Sequence, residues 1–381
     1  MPRRKSPASL RQAAILCVGK YFDLVCYGCR DYNSTNLMVD SEMYHEMSTP
    51  LDRLPSSLLE DMYTVICSKR CGPLYLHALI QPQIRSIVIQ PGTIHFAIAY
   101  LQKRCSQLAS MNLSGSTHMN PELFIPVFKH FSNLMRLNLS DNVIDDRSFN
   151  NIGMTCHRLR HLNVSRSTIS DLGLQFLSRS EHNVPRCQEL LTMDMERCRV
   201  TRRGVASFIV YHPGLCRLTY EDTVGALYEL QQLGCTPATG YMFHIDQLTA
   251  EGEERPVDHE LRSAVTMSPQ VSHVRMLATK LTNSGVYSLM NCVHLTSLNI
   301  ANTDMFLVDF DEGIVPVLTI CGHNLQSLIL DRFKHVDISF IGKTCPKINK
   351  LSLSHIVHFG QLLAVSEVTR HNDEKSRYIS I

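Results

Sequence analysis

Two stretches decide the fold: LMRLNLSDNVIDD at residues 134–146 and LRHLNVSRSTISD at residues 159–171. Each begins with the pattern L-x-x-L-x-L and continues into a polar turn. Equivalent patterns with other aliphatic residues start at Ile84, Leu108, Leu190, Leu215, Val271, Leu295, Leu325 and Ile348. The chain is therefore organised by an internal repeat. One wide gap, after the pattern at Leu215, leaves room for a degenerate copy near TGYMFHID at residues 239–246.

The spacing of these patterns lies at or just beyond the period of about 20–29 residues that is typical of leucine-rich repeats. Side chains alternate along a strand, so the second and third aliphatic positions of each pattern face the same side, toward a core. One unit cannot bury that face alone, and neighbouring units must stack. The prediction is an α/β leucine-rich-repeat solenoid, a horseshoe of about 10–11 repeats. It would occupy residues 81–365, between a helical region at 1–80 and a polar tail at 366–381.

Composition limits the class of partner. The 381 residues are 44% hydrophobic and 19% charged, which is enough apolar material for a large core. The net charge of +2 comes without a basic block beyond the first residues, so a nucleic-acid partner is not expected. No run of eighteen apolar residues occurs, and a membrane span is not expected either.

The fourteen cysteines follow the repeat instead of a disulfide framework. Six of them precede a repeat start by three or four residues: Cys105, Cys156, Cys187, Cys292, Cys321 and Cys345. The sequences CHRL and CPKI resemble the cysteine-containing class of leucine-rich repeats found in intracellular F-box-type proteins. We expect reduced, buried thiols and a cytoplasmic or nuclear protein. A zinc site built from Cys26, Cys29, Cys67 and Cys71 is less favoured because the pairs are far apart and the second spacing is unusual.

Residues 1–80 do not repeat, but two helices are indicated there. In the first, SLRQAAILCVGKYF at residues 9–22, an apolar stripe holds Leu10, Ala13, Ala14, Cys17 and Tyr21. In the second, LPSSLLEDMYTVICSK at residues 54–69, Ser57 and Glu60 have the spacing of a capping box. The first helix follows a basic leader, so a mitochondrial presequence and a simple solenoid cap are alternative interpretations.

The two helices carry a family resemblance. SLRQAAILCV resembles the elongin-C-binding box through Ser9, Leu10, Ala14 and Val18, and LPSSLLEDM resembles the cullin box through Leu54, Pro55, Leu58 and Met62. Together they resemble a VHL-type box, and their position before leucine-rich repeats resembles the zyg/zer family of cullin-2 ubiquitin-ligase substrate receptors. The resemblance implies elongin C, elongin B and cullin-2 as partners and a protein as substrate.

The chain departs from that family in one respect. Longer members carry armadillo repeats after the leucine-rich repeats and capture short N-terminal degrons there. Capture of such degrons is therefore not expected of this chain. LPSSLLEDMY also resembles the opening of an F-box, which would bind Skp1 instead of elongin, although only 30 residues separate Leu54 from Ile84. A leucine-rich-repeat scaffold without a ligase role is the remaining alternative.

No phosphate loop, H-E-x-x-H or G-x-S-x-G motif occurs, so neither an enzyme nor a cofactor is expected. Binding residues are expected instead at outward positions of the strands, on the concave face. Asp194, Glu196 and Glu221 are predicted to lie near Arg217, in a patch that either holds a polypeptide or neutralises itself. The complete set of candidate positions is Arg136, His161, Asp194, Glu196, Arg217, Glu221 and Arg275.

Overall fold

The computed structural model describes residues 10–27, 50–67, 73–180, 182–240, 243–251, 256–277, 280–302, 306–360, 369–373 and 376–380. It divides into two compact units, residues 1–163 and 164–381. Each unit has the predicted architecture, in which a short parallel strand is followed by a helix or helical turn.

In the first unit, strands β1 to β4 are hydrogen-bonded in sequence order, each parallel to the next. Their bounds are β1 (Ser86–Val88), β2 (Ser110–Asn112), β3 (Arg136–Asn138) and β4 (His161–Asn163). The helices are α1 (Leu10–Lys20), α2 (Phe22–Tyr27), α3 (Ser56–Cys67), α4 (Pro73–Leu79), α5 (Ile94–Arg104) and α6 (Asp146–Thr155), with short 3₁₀ turns at Pro91–Thr93, Pro121–Phe124 and Val127–His130.

The second unit continues the same alternation. Its strands are β5 (Thr192–Asp194), β6 (Arg217–Thr219), β7 (Gln247–Ala250), β8 (His273–Leu277), β9 (Ser297–Ala301), β10 (Ser327–Asp331), β11 (His335–Val336), β12 (Lys350–Ser354), β13 (His358–Phe359), β14 (Thr369–Asp373) and β15 (Ser376–Ser380). Its α-helices are α7 (Asp171–Ser178), α8 (Arg202–Tyr211), α9 (Thr223–Gln232), α10 (Asp258–Met267), α11 (Asn283–Val286), α12 (Val315–Cys321) and α13 (Ile338–Thr344). Other helical turns are Pro237–Thr239, Tyr287–Asn291, Phe310–Ile314 and Gly322–Asn324.

Strand pairing in the second unit is parallel until the end of the chain. β5 pairs with β6, and β7, β8, β9, β10 and β12 follow one another in a second ladder. The degenerate repeat expected in the wide gap is present as β7, with the buried residues Ile245, Leu248 and Ala250 at its pattern positions. Within the segment 366–381, expected as a polar tail, residues 369–373 and 376–380 form the antiparallel pair β14–β15, and β15 pairs with β12.

The aliphatic pattern positions fill the core as predicted. In the repeat at Leu134, for example, Leu134, Leu137 and Leu139 are buried. The six repeat-associated cysteines form no disulfide and are buried, as expected for a packing role. Some also join adjacent repeats, since Cys105 Sγ donates to the carbonyl of Gln81 at 3.3 Å. Burial raises the pKa of Cys105 to about 12, so this thiol stays protonated at neutral pH.

Polar side chains connect consecutive repeats at the beginning of their helices. Asp171 accepts hydrogen bonds from the backbone nitrogen of Thr201 at 2.8 Å and from its hydroxyl at 2.6 Å. Asp258 and Thr282 repeat this arrangement with the same two distances, 2.8 and 2.6 Å. Because each threonine also caps its own helix, the carboxylate fixes the position of the following helix start.

The free edge of the first strand, β1, is hydrogen-bonded to a side chain of helix α3. In the interior of the sheet, the backbone nitrogens of Ala109 and Ser110 both donate to the carbonyl of Arg85, and later repeats keep this arrangement. At the edge, the equivalent nitrogens of Arg85 and Ser86 donate to Oε1 of Glu60 in α3, at 3.1 and 2.9 Å. A side-chain carboxylate thus replaces the carbonyl of a preceding repeat.

The predicted capping box of α3 was therefore wrong. The helix begins one residue earlier, at Ser56, whose hydroxyl donates to Oε1 of Glu60 at 2.6 Å. Ser57 lies inside the helix, and its carbonyl accepts a hydrogen bond from Arg11 of α1 at 2.9 Å. Glu60 is directed toward β1 because an unpaired strand edge offers two backbone donors to it.

Candidate functional site

Only one side of helix α1 packs against α3. Ile15 is buried in that contact, and an added Cβ at Gly19 would lie 3.3 Å from the side chain of Ile66. Arg11 forms an ion pair with Asp61 at 2.6 Å. These residues define the attached side of α1, and α2 extends it through buried Phe22.

The opposite side of α1 and α2 is apolar and exposed. Leu16, Tyr21 and Leu24 expose 49%, 49% and 55% of their surface, and Val25 exposes 41%. Backbone hydrogen bonds from Tyr21 to Cys17 and from Val25 to Tyr21 make the two helices nearly continuous. We call the exposed set Ala13, Ala14, Leu16, Cys17, Tyr21, Leu24 and Val25 the outer face.

The residues of the elongin-binding resemblance lie on or beside the outer face. Ala14 is exposed, and Val18 is half-buried at the margin toward α3. Ser9 and the side chain of Leu10 lie outside the described part of the chain. The apolar stripe predicted from the sequence is therefore directed away from the solenoid at every member whose side chain is described.

The residues of the cullin-box resemblance divide into two groups. Pro55 is exposed, and Leu54 and Leu58 are half-buried, so these three remain accessible in part. Met62 was expected to contact a partner but is only 2% exposed, because α3 packs it into the core of the first unit. We therefore remove Met62 from the adaptor-binding set.

The outward strand face of the first unit carries Arg136 and His161 at neighbouring positions of β3 and β4. Arg136 is exposed, and His161 is half-buried. The pKa of His161 is lowered by its burial and then by the charges of Arg136 and Arg160. The imidazole is therefore predominantly neutral at pH 7, beside two permanent cations.

The outward strand face of the second unit contains acids that already have cationic partners. Arg217 pairs with Asp246 at 3.2 Å, and Arg275 pairs with Glu251 at 2.9 Å. The expected grouping of Arg217 with Asp194, Glu196 and Glu221 was wrong, because Arg217 is at the beginning of β6, where Asp246 is its neighbour.

The glutamates of that predicted patch lie at the other end of their strands. Glu196 is 3.8 Å from the guanidinium of Arg197, and Glu221 accepts a hydrogen bond from the backbone nitrogen of Arg197. Burial raises the pKa of Asp194, and burial together with Glu196 and Glu221 raises the pKa of Glu251. This arrangement favours the self-neutralising interpretation of the second unit's face.

Asp246 and Glu251 were missed in the sequence because they belong to the degenerate repeat. The pattern I-D-Q-L-T-A from Ile245 to Ala250 keeps the required spacing but ends in alanine. Counting about one period onward from Leu215 would have placed both acids on the strand face.

The described residues contain no group of three or more histidine, cysteine, aspartate or glutamate side chains arranged to hold a metal ion. Of the four cysteines considered for zinc, Cys29 and Cys71 lie outside the described residues. No helix in the described ranges is both long and apolar enough to cross a membrane.

Comparison with known proteins finds solved structures of low similarity. No family model matches the chain. An internalin from Listeria monocytogenes is similar in structure, with a TM-score of 0.44 and 13% identity over 76% of this chain and 78% of the internalin. The leucine-rich-repeat domain of APL1 is similar with a TM-score of 0.39 and 12% identity, over 74% of this chain and 70% of that domain. The repeat pattern and the parallel ladders give the chain a leucine-rich-repeat fold.

Proposed function

We propose that this protein is a non-catalytic substrate-recognition subunit of a cullin-2–elongin BC ubiquitin ligase. In this proposal, the outer face of α1 and α2 binds elongin C, and the leucine-rich repeats present a protein substrate for ubiquitination. The observation that carries the proposal is the apolar outer face, which no described residue covers and which coincides with the segment that resembles an elongin-C-binding box.

Two features support a docking role in addition to a capping role. Helix α3 already closes the edge strand through Glu60, so α1 is not needed to cover β1. Helix α1 also has a packed attached side and an exposed apolar side. Such a helix is typical of one that packs on its own protein and binds a second protein. Elongin C would bury the exposed leucine, tyrosine and valine side chains, which otherwise remain in water.

The test is co-purification of elongin B and elongin C with the full-length chain. Ala14→Arg introduces a charge on the outer face, at an exposed residue of the elongin-binding resemblance, and we expect it to reduce recovered elongin C at least tenfold. An unpaired charge that is buried in a protein interface is strongly unfavourable, and this explains a loss of elongin binding of this size.

Thr64→Arg is the matched control, because it adds the same charge at an exposed helical position of α3 that is not part of the outer face. It is expected to leave elongin recovery unchanged. Unfolding curves of both variants should match the parent protein. Undiminished elongin C on a folded Ala14→Arg variant would refute the proposal, and recovery of Skp1 in its place would favour the F-box interpretation.

A further inference from the structure

The outward strand face of the first unit differs in charge from an ordinary leucine-rich-repeat surface. Strand register aligns its side chains in two rows that cross β1 to β4. The first row is Ser86, Ser110, Arg136 and His161, and the second row is Val88, Asn112, Asn138 and Asn163. We call these eight positions the donor face. They include no aspartate or glutamate.

Two of the asparagines are oriented by their own backbone. Oδ1 of Asn112 accepts a hydrogen bond from the nitrogen of Ser114, and Oδ1 of Asn138 accepts one from Ser140, both at 2.9 Å. These bonds fix the orientation of both carboxamides, and the amide nitrogens have no acceptor among the described residues. A carboxamide in this state offers N–H groups to a ligand.

The charge on the donor face is also uncompensated. The exposed guanidinium of Arg136 has no carboxylate within ion-pair distance among the described residues. The neighbouring imidazole of His161 is predominantly neutral at pH 7, so Arg136 supplies the positive charge of the donor face. By contrast, Arg217 and Arg275 of the second unit are each paired with a carboxylate.

We propose that the donor face binds an extended acidic peptide segment of a partner protein. Arg136 would pair with an aspartate or glutamate side chain, and the amides of Asn112 and Asn138 would donate to backbone carbonyls of the peptide. The four strands span about 14 Å, which an extended chain covers with four or five residues. This inference does not depend on the proposed ligase role, since a scaffold would offer the same surface.

A protein segment fits this surface better than a nucleic acid. The donor face has no aromatic side chain on which a base could stack, and only one arginine. Charge-assisted hydrogen bonds from a single guanidinium, combined with neutral amide donors, match the alternating carboxylate and carbonyl groups of an acidic peptide.

The test is a calorimetric titration of the full-length chain, without elongin, using the acetylated and amidated peptide Glu-Ser-Glu-Ser-Glu-Ser. We expect saturable binding that weakens with added salt, and no binding of the corresponding Lys-Ser peptide. Arg136→Glu should weaken binding at least tenfold, whereas Arg136→Lys should retain part of it.

Arg217→Glu is the control, because it reverses the charge of an equally exposed arginine that already has a partner. It is expected to change the affinity less than twofold. The proposal is overturned if the acidic peptide does not bind, if Arg136→Glu binds it as well as the parent does, or if a short single-stranded oligonucleotide binds more tightly at the same site. Elongin recovery is independent of all three outcomes.

Discussion

The carboxylate of Glu60 lies 2.9 Å from the backbone nitrogen of Ser86 and occupies the place that a carbonyl of the preceding strand takes in later repeats. Its oxygen Oε1 also accepts from the nitrogen of Arg85 at 3.1 Å. An open sheet edge is a site of mispairing between chains, so this side chain both satisfies and protects β1.

Glu60→Ala is expected to lower the free energy of unfolding by about 1–3 kcal/mol, because two backbone donors lose their acceptor. Glu60→Gln keeps an oxygen at the same position and should lose less. Urea unfolding followed by circular dichroism measures both. Identical midpoints for Glu60→Ala and the parent would contradict the assignment of Glu60 as the edge cap.

Two glycines are predicted to resist replacement despite their helical positions. Gly204 and Gly285 lie against the carboxylates of Asp171 and Asp258, and a Cβ on either glycine would collide with the carboxylate oxygen. Each carboxylate is held by two hydrogen bonds from a threonine, so it cannot move aside without losing them. The usual gain from replacing a helical glycine with alanine should therefore be reversed.

We expect Gly204→Ala and Gly285→Ala each to destabilise the protein by about 1–3 kcal/mol. Gly342→Ala is the control, because Gly342 is helical and has no neighbouring atom within 4 Å of an added Cβ. That change should stabilise the protein by about 0.5–1 kcal/mol. Thermal unfolding of the three variants gives the comparison, and a shift of the same sign in all three would refute the steric argument.

The sequence allowed prediction of the strands because each needs only three aliphatic residues at fixed spacing. The pattern at Leu134 correctly placed β3 and its outward Arg136. The sequence did not allow prediction of side-chain contacts that depend on the exact register of the strands. The contact of Arg217 with Asp246 depends on where the degenerate repeat begins, and the edge contact of Glu60 depends on how α3 lies against β1.

A poorly solvated ionic cluster in the second unit was not indicated by the sequence. Arg202 pairs with Asp222 and lies 3.4 Å from Glu260, and the three side chains are 17%, 6% and 12% exposed. Burial raises the pKa of Asp222, an effect that its hydrogen bond from Gly225 and the charge of Arg202 oppose. The arginine therefore supplies the counter-charge of two carboxylates in a poorly solvated place.

Arg202→Met should cost about 3–5 kcal/mol at pH 7, because both carboxylates lose their counter-charge. The loss should diminish as the pH falls, since a carboxyl whose folded pKa is raised binds a proton more readily in the folded state. Arg217→Met, which breaks an exposed pair, should cost no more than about 1 kcal/mol. Urea unfolding at pH 7 and at a lower pH distinguishes the two sites. Equal losses for both variants would refute the argument.

The last prediction concerns the stability of the protein at acidic pH. His212 is 1% exposed, its ring stacks on Phe208 at 4.2 Å, and Nδ1 lies 2.8 Å from the carbonyl of Phe208. Burial lowers its pKa to about 4, far below the value near 6.5 of an unfolded histidine. Between these two values the unfolded chain binds a proton at His212 and the folded protein does not. The free energy of unfolding is therefore highest above pH 6.5 and decreases as the pH falls toward 4.

The loss over that range should be on the order of 3 kcal/mol, since each pKa unit corresponds to about 1.36 kcal/mol. His212→Asn keeps a donor for the Phe208 carbonyl but does not titrate, so its unfolding free energy should vary less between pH 7 and pH 4. Denaturant titrations across this range, on the parent and the variant, measure the difference directly. Parallel pH profiles would show that His212 is not the group responsible for acid sensitivity, whereas a flatter profile for the variant assigns it to this buried imidazole.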